Sequence, residues 1–151
     1  MLRYSAICTD DREFLAMTGM TVHEFNELLP YFHDCFDVYL QTTTIDGYER
    51  EYRRYTPYRN RTFQTPADML LFILIYLKQY PTQTMLGRLF GMKQPHANRW
   101  IHLVHPVLNG ALERAGCRPE RTDIVQNSAE TDDDTLEQDT PLLFMTDVNG
   151  Q

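Results

Sequence analysis

The spacing of apolar residues divides the chain into a helical stretch, a non-helical stretch and a second helical stretch. Phe25, Leu28, Leu29, Phe32, Phe36 and Tyr39 recur mostly at separations of three and four, which puts them on one helical face. In front of them, Thr21-Val22-His23-Glu24 has the form of a capping box. The threonine oxygen can accept a backbone N–H while the glutamate reaches back to the cap residue. Gly19 is placed to close a shorter helix running roughly from Arg12 to Met17. Pro30 falls inside the apolar pattern, and with no N–H and a ring that crowds the preceding turn it is expected to kink this helix or split it.

Between Val38 and Phe63 the helical period disappears. Tyr39 to Thr44 and Tyr48 to Tyr55 are rich in β-branched and aromatic residues, with Asp46-Gly47 between them, which predicts a β-hairpin. Helical signals resume at Thr65-Pro66-Ala67-Asp68: an N-cap, a proline at the first helical position and an acid at the positive helix end. Met69 to Leu77 is apolar nearly all round, as expected of a helix buried on several sides, and Tyr80-Pro81 ends it.

Residues 82–105 predict a helix-turn-helix. Two helices crossing at a tight turn need a small residue in the first helix, a glycine at the turn and apolar inner faces. Gly87 and Gly91 meet the first two needs. Leu86, Leu89 and Phe90 supply one inner face, and Met92, Ala97, Trp100 and Ile101 the other. Gln94-Pro95 starts a second helix extending to about His105. Pro119 to Thr140 is acidic with few large apolar residues, so it reads as a linker, and Pro141 to Met145 looks like a strand beginning. The expected fold is mainly α: a compact helical bundle containing a helix-turn-helix, with a small β-hairpin insertion and a disordered acidic C-terminal tail. The domain boundaries that follow are 1–118, a linker at 119–140 and a separate segment at 141–151.

Composition first argues against a nucleic-acid partner, because the formal net charge over 151 residues is −7. Mapping reverses that reading. Residues 1–49 carry two basic and nine acidic side chains, residues 50–118 eleven basic and three acidic, and residues 119–151 one basic and nine acidic. A block of +8 is thus masked by flanks of −7 and −8, an asymmetry that points to nucleic acid or to ordinary solvated surface. Cys8, Cys35 and Cys117 are too few and too scattered for a disulfide framework or a zinc site. The first twenty residues lack the apolar run of a signal peptide, and the nine-residue run Met69–Leu77 is too short to cross a bilayer. A reduced, cytoplasmic protein with no membrane partner is expected.

Double-stranded DNA is the partner these features favour. The outward positions of the second helix hold Lys93, Gln94, His96, Asn98, Arg99 and His102. Arg pairs with guanine and Asn or Gln with adenine through two hydrogen bonds at once, while Lys reaches phosphate. Tyr48 to Arg61 interleaves Arg50, Arg53, Arg54, Arg59 and Arg61 with four tyrosines, which suits an arm on the DNA backbone or the two faces of a half-exposed hairpin. The competing reading is a protein-interaction or oligomerisation module, and a stand-alone helix-turn-helix repressor shares the DNA contacts. His102 and His105 stand one turn apart without a third ligand, so no cofactor is expected in this chain. Met17, Met20, Met69, Met85 and Met92 are expected to fill the core.

Thr18 to Phe25, Thr65 to Lys78 and above all Leu89-Phe90-Gly91-Met92-Lys93-Gln94-Pro95-His96-Ala97-Asn98-Arg99-Trp100-Ile101-His102 resemble the N-terminal region of bacterial insertion-sequence transposases of the DDE superfamily, in particular the insertion-sequence-5 group. The resemblance implies a helix-turn-helix that recognises the terminal inverted repeats of the element, joined to an RNase-H-like catalytic domain. It also implies a divalent metal, magnesium, in the complete enzyme and a nucleoid-associated location. Leu142 to Asp147 is similar to the first strand of that catalytic domain, with Asp147 matching the first metal-binding carboxylate. Val148-Asn149-Gly150-Gln151 departs from the usual continuation. Two-metal strand transfer needs several carboxylates, so on this reading the chain alone is inert, a truncated or split-frame product. Its partners would be the element ends and a second copy, or a partner carrying the catalytic domain.

Overall fold

The computed structural model describes residues 1–51 and 62–117. Among them are six helices and no sheet: α1 (Tyr4–Ile7), α2 (Asp11–Thr18), α3 (Val22–Thr42), α4 (Pro66–Gln79), α5 (Gln83–Leu89) and α6 (Gln94–Arg114). The expected linker at 119–140 and strand at 141–151 lie outside the described residues.

Helix α4 takes the central place because its sequence leaves it little face for water. Ala67 through Ile75 are buried at every position, and α1, α2, α3 and α6 pack around them. Burying each Leu, Ile, Phe or Met side chain favours the fold by about 1.5–3 kcal/mol before chain entropy is counted. The start of α4 forms as its residues require, with Thr65 Oγ1 accepting from Asp68 N at 3.3 Å and Pro66 in the first turn. Asp68 is buried, and its Oδ1 accepts the Tyr4 N–H at 2.9 Å, which fastens α1 to α4. At the other end Tyr80 adopts a left-handed conformation (φ 51°), and Gln79 Nε2 donates to the Ala16 carbonyl at 2.8 Å at the end of α2.

The capping box at the start of α3 is present. Thr21 Oγ1 accepts from Glu24 N at 3.2 Å, and Glu24 Oε2 accepts from Thr21 N at 2.8 Å. The Thr21 backbone N–H, followed by its hydroxyl, holds the Glu24 carboxyl below its ordinary value. Gly19 closes α2 with φ 77°. Pro30 neither ends nor divides α3, which runs as one helix to Thr42, and α6 likewise continues through Pro106. Both prolines are exposed, as are Asn26 and His102, whose carbonyls lose their helical donor, so water can satisfy them.

The first strand of the expected hairpin is largely replaced by helix, which runs to Thr42. Leu40, four residues after Phe36, is buried in the core, so the helical period continues through the segment that β-branched composition assigned to a strand. What remains is a turn with one antiparallel bridge, Thr43 to Glu49. Thr44 N donates to Tyr48 O at 2.8 Å, Arg50 N donates to Thr42 O at 2.9 Å, and Gly47 supplies the positive φ of 86°. Residues 52–55 of the expected second strand lie outside the described residues.

Helices α5 and α6 form the helix-turn-helix. Thr82 caps α5 by accepting from Met85 N at 3.2 Å. Met92 N donates across the turn to Gly87 O at 2.7 Å, and Gly91 takes φ 71°. A Cβ on Gly87 would stand 2.6 Å from the Met92 carbonyl oxygen, so only glycine permits this approach. Leu86, Phe90, Ala97 and Ile101 are buried between the helices as expected. Leu89 is not: it is 38% exposed, because Leu86 and Phe90 take the inner face and Leu89 falls on the outer side with Met85. Met85, expected in the core, is itself 66% exposed, and Met92 and Trp100 are half-buried.

Two further contacts fix the motif on the bundle. Phe63 packs edge-on against Phe72 of α4 (5.2 Å between ring centres) and Trp100 of α6 (4.9 Å), while Phe72 meets Phe90 at 5.1 Å. The second half of α6 then buries Leu103, Val104, Val107, Leu108 and Ala111, and α3 packs along this helix. For that reason α6 continues to Arg114, beyond the end expected near His105. Replacing Gly87 with Ala should lower the unfolding free energy by about 1–3 kcal/mol, as forced overpacking does, read from the denaturant midpoint of the purified chain. An unchanged midpoint would show that the turn can open without cost.

Candidate nucleic-acid interface

The first half of α6 and the residue before it carry a run of polar side chains. Lys93, Gln94, His96, Arg99 and His102 are exposed and Asn98 is half-buried. Pro95, Arg99, His102 and Pro106 recur at separations of four, three and four, which gives α6 one continuous exposed ridge. The six residues expected to contact DNA are therefore brought together on one helical segment. Of the expected arm, Arg50 is half-buried and its terminal nitrogen donates to the Thr43 carbonyl at 3.4 Å, so it is folded onto the turn. Arg53, Arg54, Arg59 and Arg61 lie outside the described residues, as does Asp147.

Neighbouring elements restrain three of these side chains. Gln94 Nε2 donates to Gln83 Oε1 at 2.5 Å, and Gln83 Nε2 donates to Asn98 Oδ1 at 2.9 Å. Gln83, at the start of α5, thus bridges two amide side chains one helical turn apart on α6. The bridge consumes one donor of Gln94 and one acceptor site of Asn98, leaving each amide with both donor and acceptor capacity toward solvent. Beside it, Arg99 Nε stands 3.3 Å from Asp46 Oδ1, on the turn after α3. Asp46 and Arg99 border an open cleft of about 380 Å³ with Tyr39, Ile45, Asn98 and His102.

Neither Gln83 nor Asp46 stands out in the sequence. Gln83 is separated from Asn98 by the whole turn, and Asp46 carries only a turn signal. A search for polar residues at the start of the first helix, where they face the second, could have found Gln83. No sequence signal joins Asp46 to Arg99.

Charge is partly sorted by element, with Arg12 on α2 and Glu113 on α6 as exceptions. The acids of the first segment lie exposed on α2 and α3 or their flanks (Asp11, Glu13, Glu24, Glu27, Asp34, Asp37), where His23–Glu27 and His33–Asp37 form pairs one turn apart at 3.4 and 3.6 Å. Arg88, Lys93, Arg99 and Arg114 are exposed on α5, α6 and the residue before α6. Among the described residues no three His, Cys, Asp or Glu side chains converge as metal ligands, and His102 and His105 acquire no third partner there. No helix among them is long and apolar enough to cross a membrane.

Removing the bridging amide should free both its partners. In Gln83→Ala, the side-chain NH₂ resonances of Gln94 and Asn98 are expected to move toward random-coil positions in a ¹H–¹⁵N spectrum while the backbone spectrum is preserved. Unmoved resonances would contradict the bridge.

Residues 65–114 match a family model described as the helix-turn-helix of DDE superfamily endonuclease. Neither a curated protein nor a solved structure matches the chain. The matched segment begins at the Thr65 cap and ends at Arg114, the last residue of α6, so it takes in the supporting helix and both helices of the motif. From α4 through α6, residues 65–114 are similar to the helix-turn-helix of DDE superfamily endonuclease.

Proposed function

We propose that the chain binds double-stranded DNA through the first half of α6, as the N-terminal recognition domain of a transposase that engages the terminal inverted repeats of an insertion sequence. The observation that carries this reading is the grouping of Lys93, Gln94, His96, Asn98, Arg99 and His102 on one accessible stretch of the second helix, in a segment that matches the endonuclease helix-turn-helix. In this arrangement α6 enters the major groove. Gln94 and Asn98 suit adenine edges, Arg99 suits guanine, and Lys93 suits phosphate. Helix α4 serves as a rigid support, since a reading helix must be held to well under the width of a base pair for its side chains to register. Arg53, Arg54, Arg59 and Arg61 add a basic segment that would strengthen binding through phosphates. The insertion-sequence-5 group remains the finer assignment. Asp147 and the divalent metal, magnesium, belong to the catalytic half of that assignment, whereas the proposal for this chain concerns recognition.

Exposed Met85 and Leu89, four residues apart on the outer side of α5, favour a second reading in which the motif packs against a partner protein. Salt separates the two. Binding to duplex DNA must weaken steeply as salt rises, because each neutralised phosphate releases a counterion. Arg99→Ala should weaken binding to the selected element end by about 5- to 150-fold, the range for losing a bidentate base contact, with a much smaller loss on random duplex. Fluorescence anisotropy at several salt concentrations measures both. Equal loss on the two DNAs would make Arg99 a phosphate contact, and no binding at low salt would favour the interaction module.

A further inference from the structure

We propose that Asp46 is a specificity-determining residue that acts through Arg99, holding its guanidinium for a base and away from the DNA backbone; this rests on the DNA-binding reading of α6. The contact made is at Nε, 3.3 Å from Asp46 Oδ1. An arginine reads guanine by presenting two parallel N–H groups to O6 and N7. With Nε turned to the carboxylate, the two terminal nitrogens form the free end of the fork. An unrestrained arginine on a DNA-facing helix would instead find the nearest phosphate, which accepts its N–H groups from many directions. The carboxylate opposes this directly, since a fixed negative charge beside the guanidinium repels phosphate.

The turn that carries Asp46 is built to hold it in place. Thr43 and Glu49 form a bridge, Gly47 N donates to Thr44 O at 3.0 Å, Thr44 N donates to Tyr48 O at 2.8 Å, and the Arg50 side chain donates to Thr43 O. This turn follows α3, which is packed along α6, so the carboxylate is referenced to the helix it serves. Asp46 and Arg99 are 56% and 54% exposed, and a pair so exposed contributes little to folding, so replacing Asp46 should leave the fold intact.

The test is selection of duplexes from a randomised library by the full chain, sequenced for the wild type, Asp46→Ala, Arg99→Ala and the double variant. Wild type should select a site in which one guanine position depends on Arg99. Asp46→Ala should lower the preference at that position by roughly fivefold or more, a substantial part of a bidentate contact. Its affinity for random duplex should be unchanged or higher, and the double variant should show no loss beyond Arg99→Ala. An Asp46→Ala consensus identical to wild type, or an equal loss on selected and random DNA, would overturn the role of Asp46 alone. Failure of wild type to bind any duplex at low salt would overturn the DNA reading and this proposal with it.

Discussion

The backbone contact at Gly87 is the constraint on which the functional half of the molecule depends. A side chain there would meet the Met92 carbonyl at 2.6 Å, so the first helix and the turn can touch only through a bare Cα. That approach lets Met92 N reach Gly87 O and lets Gly91 turn the chain with positive φ. The crossing of α5 and α6 follows, and with it the direction in which Lys93 to His102 project. Gln83 and Asn98 can bridge the two helices only because the helices are this close.

A crossing of two helices does not hold itself in a small protein, and the rest of the fold supplies the support. The nearly uniform apolar surface of α4 makes it the element others must cover, and Phe72 extends that core to Phe90, Phe63 and, through Phe63, Trp100. Helix α3 secures the far half of α6, with Gly110 close to Cys35. Thus α6 has two functions along its length: its second half packs against α3, and its first half buries Ala97 and Ile101 on its inner side while carrying the polar residues on its outer side.

Much of this fold is legible in the residues because the decisive signals are local. The Thr21-Glu24 box, the Thr65-Pro66 start, Gly19 and the Gly87–Gly91 pair each encode a cap or turn whose chemistry few other residues satisfy. Signals that compete with tertiary burial are less dependable. The threonines after Tyr39 suggest a strand, but Leu40 entering the core keeps the helix intact to Thr42. Pro30 is tolerated because its face is solvated. Within the candidate site, the polar residues of α6 follow from helical period alone. Gln83 and Asp46 reach them from other elements, and separation in the chain conceals that proximity.

The distribution of charge gives the arrangement its direction, with most of the exposed acids on α2 and α3 and Arg88, Lys93 and Arg99 on α5 and at the start of α6. A net charge of −7 conceals this sorting. DNA should therefore approach one side of the bundle and avoid the other. The most direct measurement is a titration of ¹⁵N-labelled chain with short duplex DNA at low salt, followed by amide chemical shifts. The largest shifts should fall on Lys93 to His102 and on Gln83, with Glu24, Glu27, Asp34 and Asp37 on α3 unperturbed. Shifts centred on α3, or no shifts at any DNA concentration, would refute a DNA-reading role for α6.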